Sequence, residues 1–374
     1  MVIKELFLRY RNGVTHICVN CGGFPFCIGS YFIGATVHGK CTHDKETRSE
    51  YQTPFIGVIG SIFYGLGLTI ASVYELYTSY NVQERFWDLE NMKALGEFYL
   101  GFGQGLTVLC LCRHYKALKQ ILQLLQTILY KYEFTVSKAD TLEIVRTLRL
   151  QSMLVTTSTI CITTFAAIYR YWTHSLFDFL IIFKTYAHCQ ITLGMALLAN
   201  THRYTLKICY KRLRNILTLT LDRQHSIQPA DILSIGKDLE YIMETRSACY
   251  RLLLKINRFI QLPLHPFVVF IMLFICEGCL IAIVMISSGN LFALKDEYTC
   301  FTILCIVYAA VSLFPCYSGG LIVKEIEVLL EALNSQVCEM RASDLIVMSN
   351  RFYIRAIYTL LAYSIMGLQF YYHP

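Results

Sequence analysis

Asp178, Lys184 and His188 fall within one apolar run, Leu176–Ala199, with Lys184 and His188 one helical turn apart on a single face. Glu277 interrupts a second such run, Leu262–Ser288; Glu97 stands near the start of a third, Leu95–Leu111; Arg170 closes a fourth, Ser152–Tyr169. A central Lys or Asp costs a membrane-inserted helix roughly 2.5–3.5 kcal/mol, so ionisable residues in apolar runs are functional candidates. Around them stand Tyr99, Gln104, Tyr169, Tyr171, Trp172, Tyr186 and Tyr298. Aromatic walls with a few convergent polar groups suit the recognition of a small molecule. The ordinary alternative is that these residues anchor helices at the interface and hold them together by hydrogen bonds.

Other chemistry finds little support. The ten histidines are scattered, with no H-E-x-x-H or H-x-x-H-H cluster, and paired acids or a nucleophile with its base do not recur on neighbouring runs, so neither an enzyme nor a metal or other cofactor is expected. Cys18 and Cys21 form a lone C-x-x-C near Cys27, Cys41 and His43, too little to imply zinc. A P-loop lysine motif is absent, and no internal repeat of the kind seen in secondary transporters is visible. The sixteen cysteines fall mostly in apolar runs or basic loops, as reduced, small apolar residues do. There is no N-x-[ST] acceptor, and no signal peptide is expected from the first fifteen residues.

The elements that must position these residues follow from composition. Of 374 residues, 55% are hydrophobic and only 16% charged, against about 25% charged in an ordinary soluble domain. Mean hydropathy is +0.47. An all-α polytopic membrane protein of seven transmembrane helices is expected, with spans at about 54–75, 95–112, 152–170, 176–199, 262–288 and 298–323 and a last one within 352–374. Residues 1–53 read as an N-terminal segment whose glycine- and proline-broken stretch 14–37 is interfacial or re-entrant. In 113–150 and 201–261, apolar residues recur at three and four positions between Lys and Arg, which predicts long amphipathic helices outside the membrane. Residues 324–351 read as a mixed-charge helical connector.

Lys and Arg set the orientation. The N-terminal segment, the two long loops and the connector carry 27 of them, and the intervening loops carry 3. The first set is therefore cytoplasmic, with the N-terminus inside and the C-terminus outside, the reverse of a G-protein-coupled receptor. The net charge of +7 is explained by this bias, and no nucleic-acid partner is expected. Glu97, Tyr99, Gln104, Tyr169, Arg170, Trp172, Asp178, Lys184, Tyr186, His188, Glu277 and Tyr298 then all lie in the outer half of the membrane, a candidate ligand pocket.

The final run carries the most specific pattern. Ala362-Tyr363-Ser364-Ile365-Met366-Gly367-Leu368-Gln369-Phe370 resembles the closing pattern of insect gustatory receptors, a Thr-Tyr pair, five apolar residues and Gln-Phe. Tyr363, Gln369 and Phe370 match at the same spacing, and Ala362 stands where the family has threonine. Gly23-Phe24-Pro25-Phe26 is similar to the family's short N-terminal segment. Chain length, span number and orientation agree with the gustatory/odorant chemoreceptor superfamily. The resemblance implies a ligand-gated, non-selective cation channel that detects a small-molecule tastant. It implies a tetramer, of one chain or with other receptor subunits, in the plasma membrane of sensory neurons (dendrite, axon and cell body), in contact with membrane lipid. It also implies that the last span lines a central pore, with Tyr363 and Gln369 as a latch between subunits and Leu368 or Phe370 as an apolar constriction. Weak acidity and many aromatics lean toward a bitter compound over a sugar. A metabotropic receptor and a diverged, non-gustatory member of the superfamily are the alternatives; a membrane enzyme or transporter ranks below them.

Overall fold

A computed structural model describes residues 38–39, 51–52, 55–80, 88–133, 138–171, 179–222, 229–287, 298–299, 301–313, 317, 341–343, 346–347, 354–356, 358–359, 362–363 and 366. The long helices are α1 (Phe55–Ser79), α2 (Leu89–Arg113), α3 (Tyr115–Glu133), α4 (Lys138–Tyr171), α5 (Phe179–Asp222) and α6 (Pro229–Ser287), followed by the shorter apolar α7 (Phe301–Leu313). Two small antiparallel ladders accompany them, β1 (His38–Gly39) with β2 (Tyr51–Gln52) and β3 (Arg341–Ser343) with β4 (Ile346–Val347). Within the connector expected to be helical, the described residues thus pair as strands; Ile346 and Val347 are β-branched types that favour that state.

Five segments are long and apolar enough to cross a membrane: Gly57–Ser79, Leu89–Arg113, Leu142–Ile168, Leu180–Tyr204 and Pro266–Ser287. The described residues are therefore overwhelmingly helical, with several helices apolar enough to lie in a membrane. The expected sixth span is described in its first half as α7, and the seventh only at scattered positions. The expected interfacial stretch 14–37 and the Cys18–Cys21 pair lie outside the described residues.

Several helices outrun their apolar spans. α4 begins at Lys138, fourteen residues before the expected start of its span at 152, because Ile144, Val145 and Leu148 are buried and tie that extension to its neighbours. α5 continues to Asp222, and α6 starts at Pro229. Its 59 residues at 1.5 Å each make a rod of about 89 Å. α3 is amphipathic as its spacing predicts: Ile121, Leu125 and Ile128 are buried while Lys116 and Gln120 are exposed. Its apolar stripe joins the core cluster that also holds Leu252, Ile256 and Phe259 of α6.

The centre of the bundle is made by α2, α5, α6 and α7. Leu100, Val108, Ile181, Phe267, Ile271, Phe274, Leu304 and Tyr308 belong to one core cluster. α1 and α4 join this cluster through Leu68, Ile144 and Leu148 and otherwise present Phe63, Ile70, Tyr77, Leu154, Ile160 and Ile168 to their surroundings. Large exposed apolar side chains on these two helices are what a lipid-facing surface requires. α1 and α2 approach closely because glycines meet: a Cβ on Gly105 would lie 2.8 Å from the Gly65 carbonyl oxygen and 2.9 Å from the Thr69 nitrogen. Small residues allow two helices to approach this closely.

Candidate functional site

The polar groups of the core gather where α1 ends and α2 and α5 begin. α2 is set by Asp88, whose side chain accepts a hydrogen bond from the Glu90 amide at 3.1 Å and so caps the helix. About two turns further on, Glu97 is buried, and α1 brings Glu75 to the same level. Lys184, 1% exposed on α5, places its ammonium 2.5 Å from Glu75 Oε2 and donates to the Glu97 carbonyl oxygen at 3.2 Å. The Glu97 side chain is in turn hydrogen-bonded to that of Glu75. Three helices are therefore joined by one ammonium and two carboxyl groups out of contact with water. Losing one partner of such a pair costs roughly 3–5 kcal/mol, since the other is left buried and uncompensated.

Glycine makes room for this arrangement. A Cβ at Gly101 would collide with Ser72 Oγ and come within 2.7 Å of Lys184 Cε. Among the described residues, the buried Ser72 hydroxyl has no hydrogen-bond partner; the same holds for both amide atoms of Gln104, which lies 2% exposed three residues beyond Gly101. Tyr64 Oη reinforces the α1–α5 contact by donating to the Phe183 carbonyl oxygen at 2.6 Å.

One turn along α5 from Lys184, His188 is fully buried between α6 and α7. Its ring lies against Phe267 (centroids 5.4 Å apart, 23° between planes) and Tyr308 (4.6 Å). Its Nε2 is 3.4 Å from Ser312 Oγ. Thr185, on the turn before, shares a short hydrogen bond with the Tyr308 hydroxyl. His188 is thus a core histidine with aromatic and hydroxyl neighbours.

Glu277 of α6 forms the other side of the cluster. A Cβ on Gly96 would meet its Cβ at 3.4 Å, which puts it one residue from Glu97 on the α2 surface. It also stands within electrostatic range of the Tyr99 hydroxyl and, with Glu97, of the Cys305 thiol. Its Oε2 is buried and accepts no hydrogen bond. Aromatic rings close the space: Phe274 and Phe301 meet edge to face at 5.4 Å, while Tyr99, Phe102 and Phe270 form a run with centroids 5.3–6.3 Å apart.

Of the residues expected to share a pocket, Glu97, Tyr99, Lys184 and Glu277 are brought to one end of the bundle, with Gln104 and His188 one to two turns deeper. Tyr186 and Tyr298 are half-buried and pack against the same core. The side chains of Tyr169 and Arg170, together with Trp172 and Asp178, lie outside the described residues, as do Leu368, Gln369 and Phe370. Tyr363 is 59% exposed on a single chain. Sequence reasoning missed Glu75, Ser72, Thr185 and Tyr308. Glu75 is the last residue of the span expected at about 54–75; α1 continues to Ser79 and carries it inside. The hydroxyls give no signal in a sequence, because Ser, Thr and Tyr are ordinary in apolar helices.

No protein-family model and no curated protein matches this chain. Solved structures do. The insect olfactory receptor OR5 from Machilis hrabei superposes with a TM-score of 0.62 over 93% of this chain and 96% of its own, at 10% sequence identity. The same receptor in complex with eugenol gives 0.58 over 94% and 97%, again at 10% identity. The fold expected from the chemoreceptor resemblance is therefore present along nearly the whole chain: this protein folds as an insect olfactory receptor does.

Proposed function

We propose that this protein is a chemosensory receptor that acts as a ligand-gated, non-selective cation channel. The observation that carries the reading is the end-to-end likeness to an insect olfactory receptor. It acquires a chemical reason from the buried Glu75–Lys184–Glu97 and Glu277 cluster, for which a purely structural helix bundle has no need. Binding at the outer end of the bundle opens the channel only to the extent that the ligand prefers the open state. The assembly in this reading is a tetramer with seven spans per chain. The last spans surround the pore, and the anchor between subunits is built from α3, the distal part of α5 and the proximal part of α6. Tyr363, Leu368, Gln369 and Phe370 form its gate.

A tastant is the ligand class implied by the closing Tyr363, Gln369 and Phe370 pattern. A volatile odorant is the second reading, favoured by the eugenol complex of the structural neighbour. Whole-cell recording from cells expressing the full chain tests the channel itself. Phe370→Ala at wild-type surface level should raise basal cation current severalfold. Basal and evoked currents equal to wild type would remove Phe370 from the gate.

A further inference from the structure

Glu277 is a buried carboxyl in search of a cation. Among the described residues, the buried charged groups at the outer end of the bundle are three carboxyl groups, Glu75, Glu97 and Glu277, and one ammonium, that of Lys184; Lys93 of α2 is half-buried one turn before Glu97. Lys184 is committed to Glu75 and to the Glu97 carbonyl. Glu277 is only 8% exposed, yet its Oε2 accepts no hydrogen bond. An isolated carboxylate in such a place is strongly disfavoured unless it takes up a proton or is paired with a cation. The groups around it are acidic or aromatic: Glu97 and the Cys305 thiol on one side, and Tyr99, Phe274 and Phe301 in the surrounding wall. Aromatic faces attract a cation within about 6 Å and give nothing comparable to an anion.

We propose that this end of the bundle recognises an organic ammonium, a protonated primary to tertiary amine on an apolar body, with Glu277 as its counter-charge. The proposal rests on the receptor reading above and names the ligand class for that site. The ammonium gives the Glu277 Oε2 the partner that Lys184, held by Glu75 and the Glu97 carbonyl, does not supply, and the apolar body lies among the rings. Sugars, which need many hydrogen-bond partners, and carboxylic acids, which would meet three carboxyl groups, are excluded by the same chemistry.

The test uses cells expressing the full chain and calcium imaging with matched pairs: 2-phenylethylamine against 2-phenylethanol, and N,N-dimethylcyclohexylamine against isopropylcyclohexane. In the wild type the amine of each pair should act at a concentration at least tenfold below its neutral partner. Glu277→Gln, with surface level checked by biotinylation, should bring the pair to within about twofold, and Glu277→Asp should retain the preference. Equal potency within pairs in the wild type overturns the amine proposal and leaves the channel reading standing, as does a preference undiminished in Glu277→Gln. If Glu277→Gln fails to reach the surface, the wild-type pairs alone decide. Absence of any current, basal or evoked, from surface-expressed wild-type chain overturns the channel reading and this proposal with it.

Discussion

Lys184 is the residue on which the outer cluster depends. Its ammonium has left water completely, and what compensates for that is contact with Glu75 at 2.5 Å and the Glu97 carbonyl at 3.2 Å. Lys184→Met would leave two hydrogen-bonded carboxyl groups with no cation in an apolar bundle. The expected loss is roughly 3–5 kcal/mol, the cost of breaking a buried pair. Adding Glu75→Gln to Lys184→Met should recover much of it, because an absent pair costs far less than half of one. Melting midpoints of the detergent-solubilised single and double variants, followed by size-exclusion fluorescence, read this directly. Additive midpoint losses would mean that the two side chains do not stabilise one another. Lys184 was legible in the sequence because a charge inside an apolar run stands out. Its partner was not, because the run of α1 looked finished at Glu75.

At the scale of elements, the α1–α2 crossing fixes the level at which Glu75 and Glu97 meet. Gly65, Gly101 and Gly105 are the contact points, and each lacks room for a Cβ. Gly105→Val would push its side chain into the Gly65 carbonyl and the Thr69 backbone, separating the helices above and below. Overpacking of this kind costs typically 1–3 kcal/mol, and the displaced cluster should lose ligand-evoked current as well as stability. Gly67, two residues from Gly65, has nothing within 4 Å of an added Cβ. Gly67→Ala should therefore gain up to about 1 kcal/mol from helix propensity and keep full response. Surface expression and concentration–response curves of the two variants distinguish a packing role from a general intolerance of change; loss in both would refute the crossing as the cause. That α2 crosses α1 at these glycines was not legible, since a one-dimensional pattern names a face and leaves open which helix covers it. The same limit explains α4: its apolar spacing over 142–150 read as a separate amphipathic helix, whereas burial of Ile144, Val145 and Leu148 carries one helix straight into the span.

At the scale of the whole molecule, hydropathy made the apolar helices legible, since a bilayer admits so few alternatives to them. Their packing order was not legible, as lipid-facing and core-facing apolar residues are the same types. α1 and α4 are told from α2 and α5 only by their exposed Phe63, Ile70, Leu154 and Ile160. Orientation, by contrast, rests on charge, and the 27 to 3 division of Lys and Arg between alternate loops is larger than any single span assignment could reverse. In the orientation expected from this charge bias, the basic ends of α2, α4, α5 and α6 lie on the cytoplasmic side and the buried Glu75–Glu97–Lys184–Glu277 cluster lies toward the extracellular side. An epitope at the N-terminus should accordingly stain only after permeabilisation, and one at the C-terminus should stain on intact cells. Two tags on the same side would require an even number of spans, and an exposed N-terminus would place the cluster at the cytoplasmic face. The functional counterpart is a permanently charged, membrane-impermeant analogue such as phenethyltrimethylammonium. Applied from the bath to intact cells it should reach the cluster and either open the channel or block the action of 2-phenylethylamine, whereas activity confined to the patch pipette would put the site on the inner side and reverse the topology.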